Sequence, residues 1–155
     1  MILHGEDIFD AARVALFNRL NDSIDALRAL DPKIDQVYAT HSAASIGAPS
    51  ASIDIDSADQ IFTGATHRSV QYNIHASVRV HSVFETGFFD PVTAARVANS
   101  ILNMLRENPE ISSAPRLVLR EVEGIRFRQA FTDTGTVGTE IIVRLEIHIL
   151  DEVTI

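Results

Sequence analysis

The sequence predicts an α+β fold of two layers, a mostly antiparallel or mixed β-sheet with two helices packed on one face, in the order α-β-β-β-α-β-β. Three observations carry this. The chain has 155 residues, 46 % of them hydrophobic, which suits one domain over 1–155 with a genuine core. Two segments place their apolar residues at helical spacing, and between and after them lie runs of strict apolar–polar alternation. No repeat, low-complexity tract or linker divides the chain.

Residues 6–30 form the first predicted helix. Ile8, Ala12, Ala15, Leu16, Leu20, Ile24 and Leu27 make one apolar stripe, Glu6 and Asp7 favour its N-terminal dipole, and Asp31-Pro32 stops it. Residues 35–40 read as a short strand with Val37 and Ala39 on one face and Tyr38 on the other. Small and polar residues at 41–50, with Gly47 and Pro49, make a loop. Residues 52–56 alternate Ile53 and Ile55 with Asp54 and Asp56, the pattern of a half-buried strand, and 57–69 is polar around Gly64.

The clearest strand follows. Val70, Tyr72, Ile74, Ala76, Val78, Val80 and Phe84 share one face, and Gln71, Asn73, His75, Ser77, Arg79 and His81 share the other. Such alternation means a sheet covered on one side and polar on the other. Asp90-Pro91 starts the second helix as N-cap and N1. Ala94, Val97, Ala98, Ile101, Leu102 and Leu105 give it an apolar side, and Asn108-Pro109 closes it. Residues 116–131 and 139–150 are the last strand pair, joined by the loop at 132–138. At about 3.3 Å per residue, the 70–84 run reaches about 50 Å. So either the long strands bend at bulges, for which Gly124 is a candidate, or their hairpin arms project and expose edges for neighbours.

Composition excludes several classes. Without Cys there is no disulfide framework, thiolate metal site or cysteine nucleophile. The first residues lack the basic and apolar regions of a signal peptide, and no run approaches a membrane span, so a soluble, non-secreted protein is expected. Thirteen basic against 21 acidic residues give a net charge of −8, which argues against nucleic-acid binding. Of the basic residues only Lys33 is lysine. Biased codon usage explains that equally well as a protein packed against copies of itself, since interfaces favour arginine over lysine.

Candidate chemistry is sparse, and no enzyme, cofactor or metal is expected. His75 and His81 share a strand face but stand about 20 Å apart along it, too far to ligate one ion unaided. His148 lies on another polar strand face, and His4, His41 and His67 fall in end or loop segments, so solvated or interfacial roles fit all of them better. Asp54, Asp56 and Asp59 could hold a hard cation, yet alternating aspartates on a solvent face are ordinary protection against edge aggregation. Gly135-Thr136-Val137-Gly138 sits in a hairpin rather than at a helix N-terminus, so it is no phosphate cradle. Ser42, Ser45 and Ser50 have no local base and orienter.

The element order and several segments resemble the tail terminator, or tail-completion, proteins of long-tailed bacteriophages and phage-like particles. The similarity covers the opening helix, Gln36-Val37-Tyr38, Gly47-Ala48-Pro49 before Ile53-Asp54-Ile55, and the strand from Tyr72 to Val80. It continues through the Ala-rich helix from Pro91 to Leu105, the segment from Arg126 to Asp133, and the closing strand from Arg144 to Ile149. The longer opening helix and 57–69 segment depart from typical members and keep open another neck role, such as head closure or a connector-to-tail adaptor. A small α+β enzyme or ligand-binding module is the reading from a different class.

The resemblance implies a structural virion protein of the tail neck, assembled in the cytoplasm of a host bacterium. It implies a hexameric ring that caps the tail tube, stops its polymerisation and offers a surface to the head-side connector. DNA would pass through the lumen without specific binding, and no membrane is involved. Arg79, Arg126, Arg128 and Arg144, on polar strand faces, are the candidates for bridges to acids of a neighbouring subunit. The 57–69 segment, with Asp59, Thr63, Gly64, His67 and Arg68, and the 132–139 loop, with Asp133 and Gly135, are the candidates for inter-subunit or axial contacts.

Overall fold

A computed structural model describes residues 2–4, 7–30, 34–39, 50–62, 69–83, 91–113, 115–131, 137–149 and 152–154. The architecture is α+β. Its elements are β1 (Ile2–His4), α1 (Ile8–Asn21), α2 (Ile24–Arg28), β2 (Gln36–Tyr38), β3 (Ser50–Phe62), β4 (Ser69–Val83), α3 (Pro91–Glu107), β5 (Glu110–Ser113), β6 (Arg116–Phe131), β7 (Val137–Ile149) and β8 (Glu152–Thr154).

The strands form one mixed sheet in six columns. β4 lies between β3 and β7, β6 follows β7, and β5 and β2 close the two ends. The ladders of β3, β4, β7, β6 and β5 are antiparallel, whereas β2 joins β3 in parallel. β8 extends the column of β7, pairing with Ser69 and Val70 of β4, and β1 pairs with β8 in parallel. Since β4 and β6 both run antiparallel to β7, they are parallel to each other, and α3 makes the crossover between them.

The helices cover one face. α1 packs on β2 and β3 at one end of the strand order and on β5 at the other, while α3 packs on β6 and β7. Six flat columns would span about 24 Å, twice the width of a helix, so the sheet curls around the helix layer. The core between the layers joins Ile8, Leu16 and Leu20 of α1 and Val97, Ile101 and Leu105 of α3 to alternate residues of β4 and β7. Ile74, Ala76, Val78 and Val80 of β4 face that core together with Ile141, Val143, Leu145, Ile147 and Ile149 of β7. Each falls at the even step that period-two alternation demands.

Several elements differ from expectation. The opening helix is broken at Asp22 and Ser23, and α2 restarts as a short helix whose Leu27 still enters the core. Residues 57–62 are strand, not loop, because Asp56 is an extra residue between Ile55 and Ser57 and the ladder resumes beyond it. β1, β5 and β8 add short strands at the margins. The Gly124 region does hold a bulge, with the register of β6 against β7 shifting between Val122 and Gly124 and also between Leu119 and Glu121. The bends thus fall in β3 and β6, while β4 runs in unbroken register with β7 from Asn73 to Val83. The helix stop at Asp31-Pro32, the loop at 41–49 and the N-cap at Asp90 lie outside the described residues.

Candidate functional site: the uncovered face of the sheet

The strand residues that point away from the helices build a polar surface. Its middle column is Asn73, His75, Ser77 and Arg79 of β4. On the β3 side stand Asp54, Asp56 and Asp59; on the β7 side stand Ile142, Arg144, Glu146 and His148, with Glu121, Glu123 and Arg126 of β6 beyond.

Most of these charges are matched across strands. Arg79 Nε meets Asp54 Oδ2 at 2.5 Å, and the Ser77 hydroxyl donates to Asp56 Oδ2 at 2.5 Å. The His75 ring sits between two carboxylates: Nε2 is 2.7 Å from Asp59 Oδ2, and Nδ1 contacts Glu123 Oε1. Arg120 Nη1 approaches Glu146 Oε1 at 3.5 Å. Ser77 is fully buried beneath this layer, and Asn73 nearly so. Asn73 and His148 are ladder partners, and Asn73 Oδ1 and His148 Nε2 are buried without a hydrogen bond among the described residues.

A histidine with an acceptor on each nitrogen is best served as an imidazolium, which donates from both. The hydrogen bond to Asp59 is the largest influence raising the His75 pKa above its ordinary 6.5, desolvation opposes it, and Glu123 adds to the rise. A raised folded-state pKa sets the sign of a pH effect. The stabilisation is fully present below 6.5, the ordinary value, and is lost as pH rises through the higher folded value. Urea midpoints should therefore fall from about pH 6 toward alkaline pH more in the wild type than in His75→Gln. Parallel profiles for the two proteins would remove His75 as the cause.

The structure separates the predicted interface residues into three groups. Arg79 and Asp59 are engaged within their own chain. Arg126 is exposed, Arg144 is half-buried, and neither makes an ion pair among the described residues. Thr63, Gly64, His67, Arg68, Asp133 and Gly135 lie outside the described residues, as does the side chain of Arg128.

Asp54, Asp56 and Asp59 point to different partners in β4 instead of converging on one centre. Among the described residues no group of three or more His, Asp or Glu side chains is placed to hold a metal ion. No described helix is long and apolar enough to cross a membrane. A shallow depression on α3, lined by Val92, Ala95, Arg96, Asn99, Ser100 and Asn103, has one charged residue and no acid–base pair.

The residue that sequence reasoning passed over is Glu123. It is the extra residue of a bulge, so its side chain leaves the regular alternation of β6 and reaches His75 across β7. The Val-Glu-Gly sequence at 122–124 held a signal for the bulge, but none for the partner 48 residues away.

No family model matches the chain, and no curated protein matches it. Among solved structures, a protein that carries no functional description matches over 92 % of this chain and 95 % of its own, at 16 % identity and a TM-score of 0.52. At that identity the likeness is one of fold, and nearly the whole length of both chains shares it.

Proposed function

We propose that this protein is a tail terminator, a structural component of a phage or phage-like particle that forms a hexameric ring on the tail tube. The observation that carries the reading is the uncovered sheet face, a broad polar surface on which Arg126 and Arg144 make no ion pair among the described residues. A two-layer domain with one bare sheet face and unmatched arginines is suited to covering by another subunit. The segment resemblances from Gln36 through Ile149 support the choice of this family among ring-forming proteins.

The mechanism is one of surfaces. One ring face takes the place of the next tube ring and binds the open end of the tube, while the opposite face lacks the tube's acceptor surface and refuses further subunits. That second face is left for the head-side connector. Ring closure requires head-to-tail contacts between unlike surfaces of adjacent copies. The net charge of −8 suits a lumen that repels the DNA backbone and lets it slide. Residence in the virion neck, after assembly in the bacterial cytoplasm, is part of the same proposal.

The test is tube polymerisation. Added to the assembling tail-tube protein of its own particle, the chain should stop elongation and yield tubes bearing one ring at an end. Tubes that elongate unchanged contradict the terminator role. Binding to the connector without binding to the tube would instead assign it to head closure or to a connector adaptor.

A further inference from the structure

Arg126 and Arg144 are diagonal neighbours. In the β6–β7 ladder Arg126 stands opposite Ile142 and Arg144 opposite Gly124, which brings the two side chains to about 7 Å at their bases. Gly124 contributes no side chain between them, and a methyl group there would meet no heavy atom within 4 Å apart from its own chain neighbours. On the other flank of Arg144 its ladder partner Ser77 is already bonded to Asp56. The result is a space over Gly124, a niche flanked by the bases of Arg126 and Arg144. Like charges on neighbouring side chains repel, and half-burial of Arg144 adds a desolvation cost that an anion between them would offset.

The surroundings select the kind of anion. Asp56, Glu121, Glu123 and Glu146 stand on the same face. They repel an extended polyanion but leave room for discrete carboxylates. Asp22 and Asp25 fit that need, being both exposed, both without an ion pair among the described residues, and three residues apart at the corner where α1 gives way to α2. This corner belongs to the helix layer, on the opposite side of the domain from the niche. Its contact with the niche therefore joins unlike surfaces, as a ring requires, and brings helices onto the bare sheet face of the next copy. Glu121 is also exposed and unpaired among the described residues, but it shares the arginines' face. It would pair two copies face to face and end at a dimer.

We propose that Asp22 and Asp25 of one copy dock into the Arg126–Arg144 niche over Gly124 of the next, making the recurring contact between subunits. The proposal rests on the ring reading above and adds the residues that hold the ring together. Paired bidentate guanidinium–carboxylate contacts would fix the register between copies.

Charge reversal with rescue tests it in the full chain, by light scattering over a concentration series. Arg126→Glu with Arg144→Glu should raise the concentration for half-assembly by at least about tenfold. Asp22→Lys with Asp25→Lys should do the same. Gly124→Asp supplies a carboxylate opposite Arg144 from within the chain, and it too should weaken assembly while the far-UV circular dichroism stays native. The fourfold reversed variant should recover to within about twofold of the wild type. A wild type that assembles, with reversed variants that assemble equally well or a fourfold variant that does not recover, overturns the niche while leaving the ring standing. Rescue of the arginine reversal by Glu121→Lys would overturn it in favour of a face-to-face pair. A wild type that stays monomeric at every concentration contradicts the ring itself.

Discussion

Truncation of Leu145 to alanine is expected to lower the unfolding free energy by about 2–5 kcal/mol, the range for a large aliphatic side chain removed from a packed core. Leu145 is fully buried in β7, with Ala76 of β4 on one side and Val122 of β6 on the other. Its ladder neighbours are fixed by hydrogen bonds along both edges of the strand, so the sheet cannot close the void by sliding. Of its two ladder partners, Ala76 is too small to fill the space. For a domain whose whole stability is about 5–15 kcal/mol, such a loss is a large fraction. Urea unfolding provides the measurement, as a fall in midpoint with little change in slope. Arg126→Ala, at an exposed position without an ion pair among the described residues, serves as control and should stay within about 0.5 kcal/mol. Equal midpoints for the two variants would contradict the central place of β7 in the core.

Loss of Arg19 should cost about 1.5–3 kcal/mol, the range for hydrogen bonds made by a charged group. Arg19 is on α1, yet its Nη2 donates to Met104 O at 2.9 Å and Asn108 O at 3.3 Å, at the end of α3. The last carbonyls of a helix have no partner within it, and they form the negative end of its dipole. The guanidinium thus caps α3 and ties together two helices that pack on different parts of the sheet. Part of the gain is offset at Nε, which is buried without a hydrogen bond among the described residues. Arg19→Lys keeps the charge but not the planar fork, so it should recover only part of the loss. Hydrogen exchange separates this account from a general packing effect. Amides near the C-terminal end of α3 should lose protection in Arg19→Ala before those of β4 and β7 do; uniform loss would count against the cap.

Much of the architecture was legible in residues 70–84 and 139–150, where alternation over many positions leaves one choice of face. Val97, Ala98, Ile101, Leu102 and Leu105 were equally plain, and all are buried. The break at Asp22 and Ser23 was not, because Leu20, Ile24 and Leu27 keep a helical spacing across it. Residues 57–62 escaped because the extra residue at Asp56 shifts the phase of alternation and makes a continuous strand look like a polar loop. At β1, β5 and β8 the three or four residues involved show no clear period.

The polar face divides in the same way. Which residues lie on it followed from the period of β4 and β7, but which of them are already matched did not. Arg79 and Arg144 occupy similar positions in the sequence pattern, yet Arg79 has Asp54 across the β3–β4 ladder and Arg144 has Gly124 across the β6–β7 ladder. Partners of this sort come from register and bulges, which depend on contacts between distant segments. His75 of β4 takes its two partners from different strands, Asp59 from β3 and Glu123 from β6.

If, as proposed, copies of this chain close into a ring through the uncovered sheet face, the mass of the assembled protein will show it. Size-exclusion chromatography with light scattering should give about six times the 17.0 kDa of the single chain, collapsing toward one chain in Arg126→Glu with Arg144→Glu. A mass of 17.0 kDa at all concentrations, persisting in the presence of the tube protein, would contradict the account.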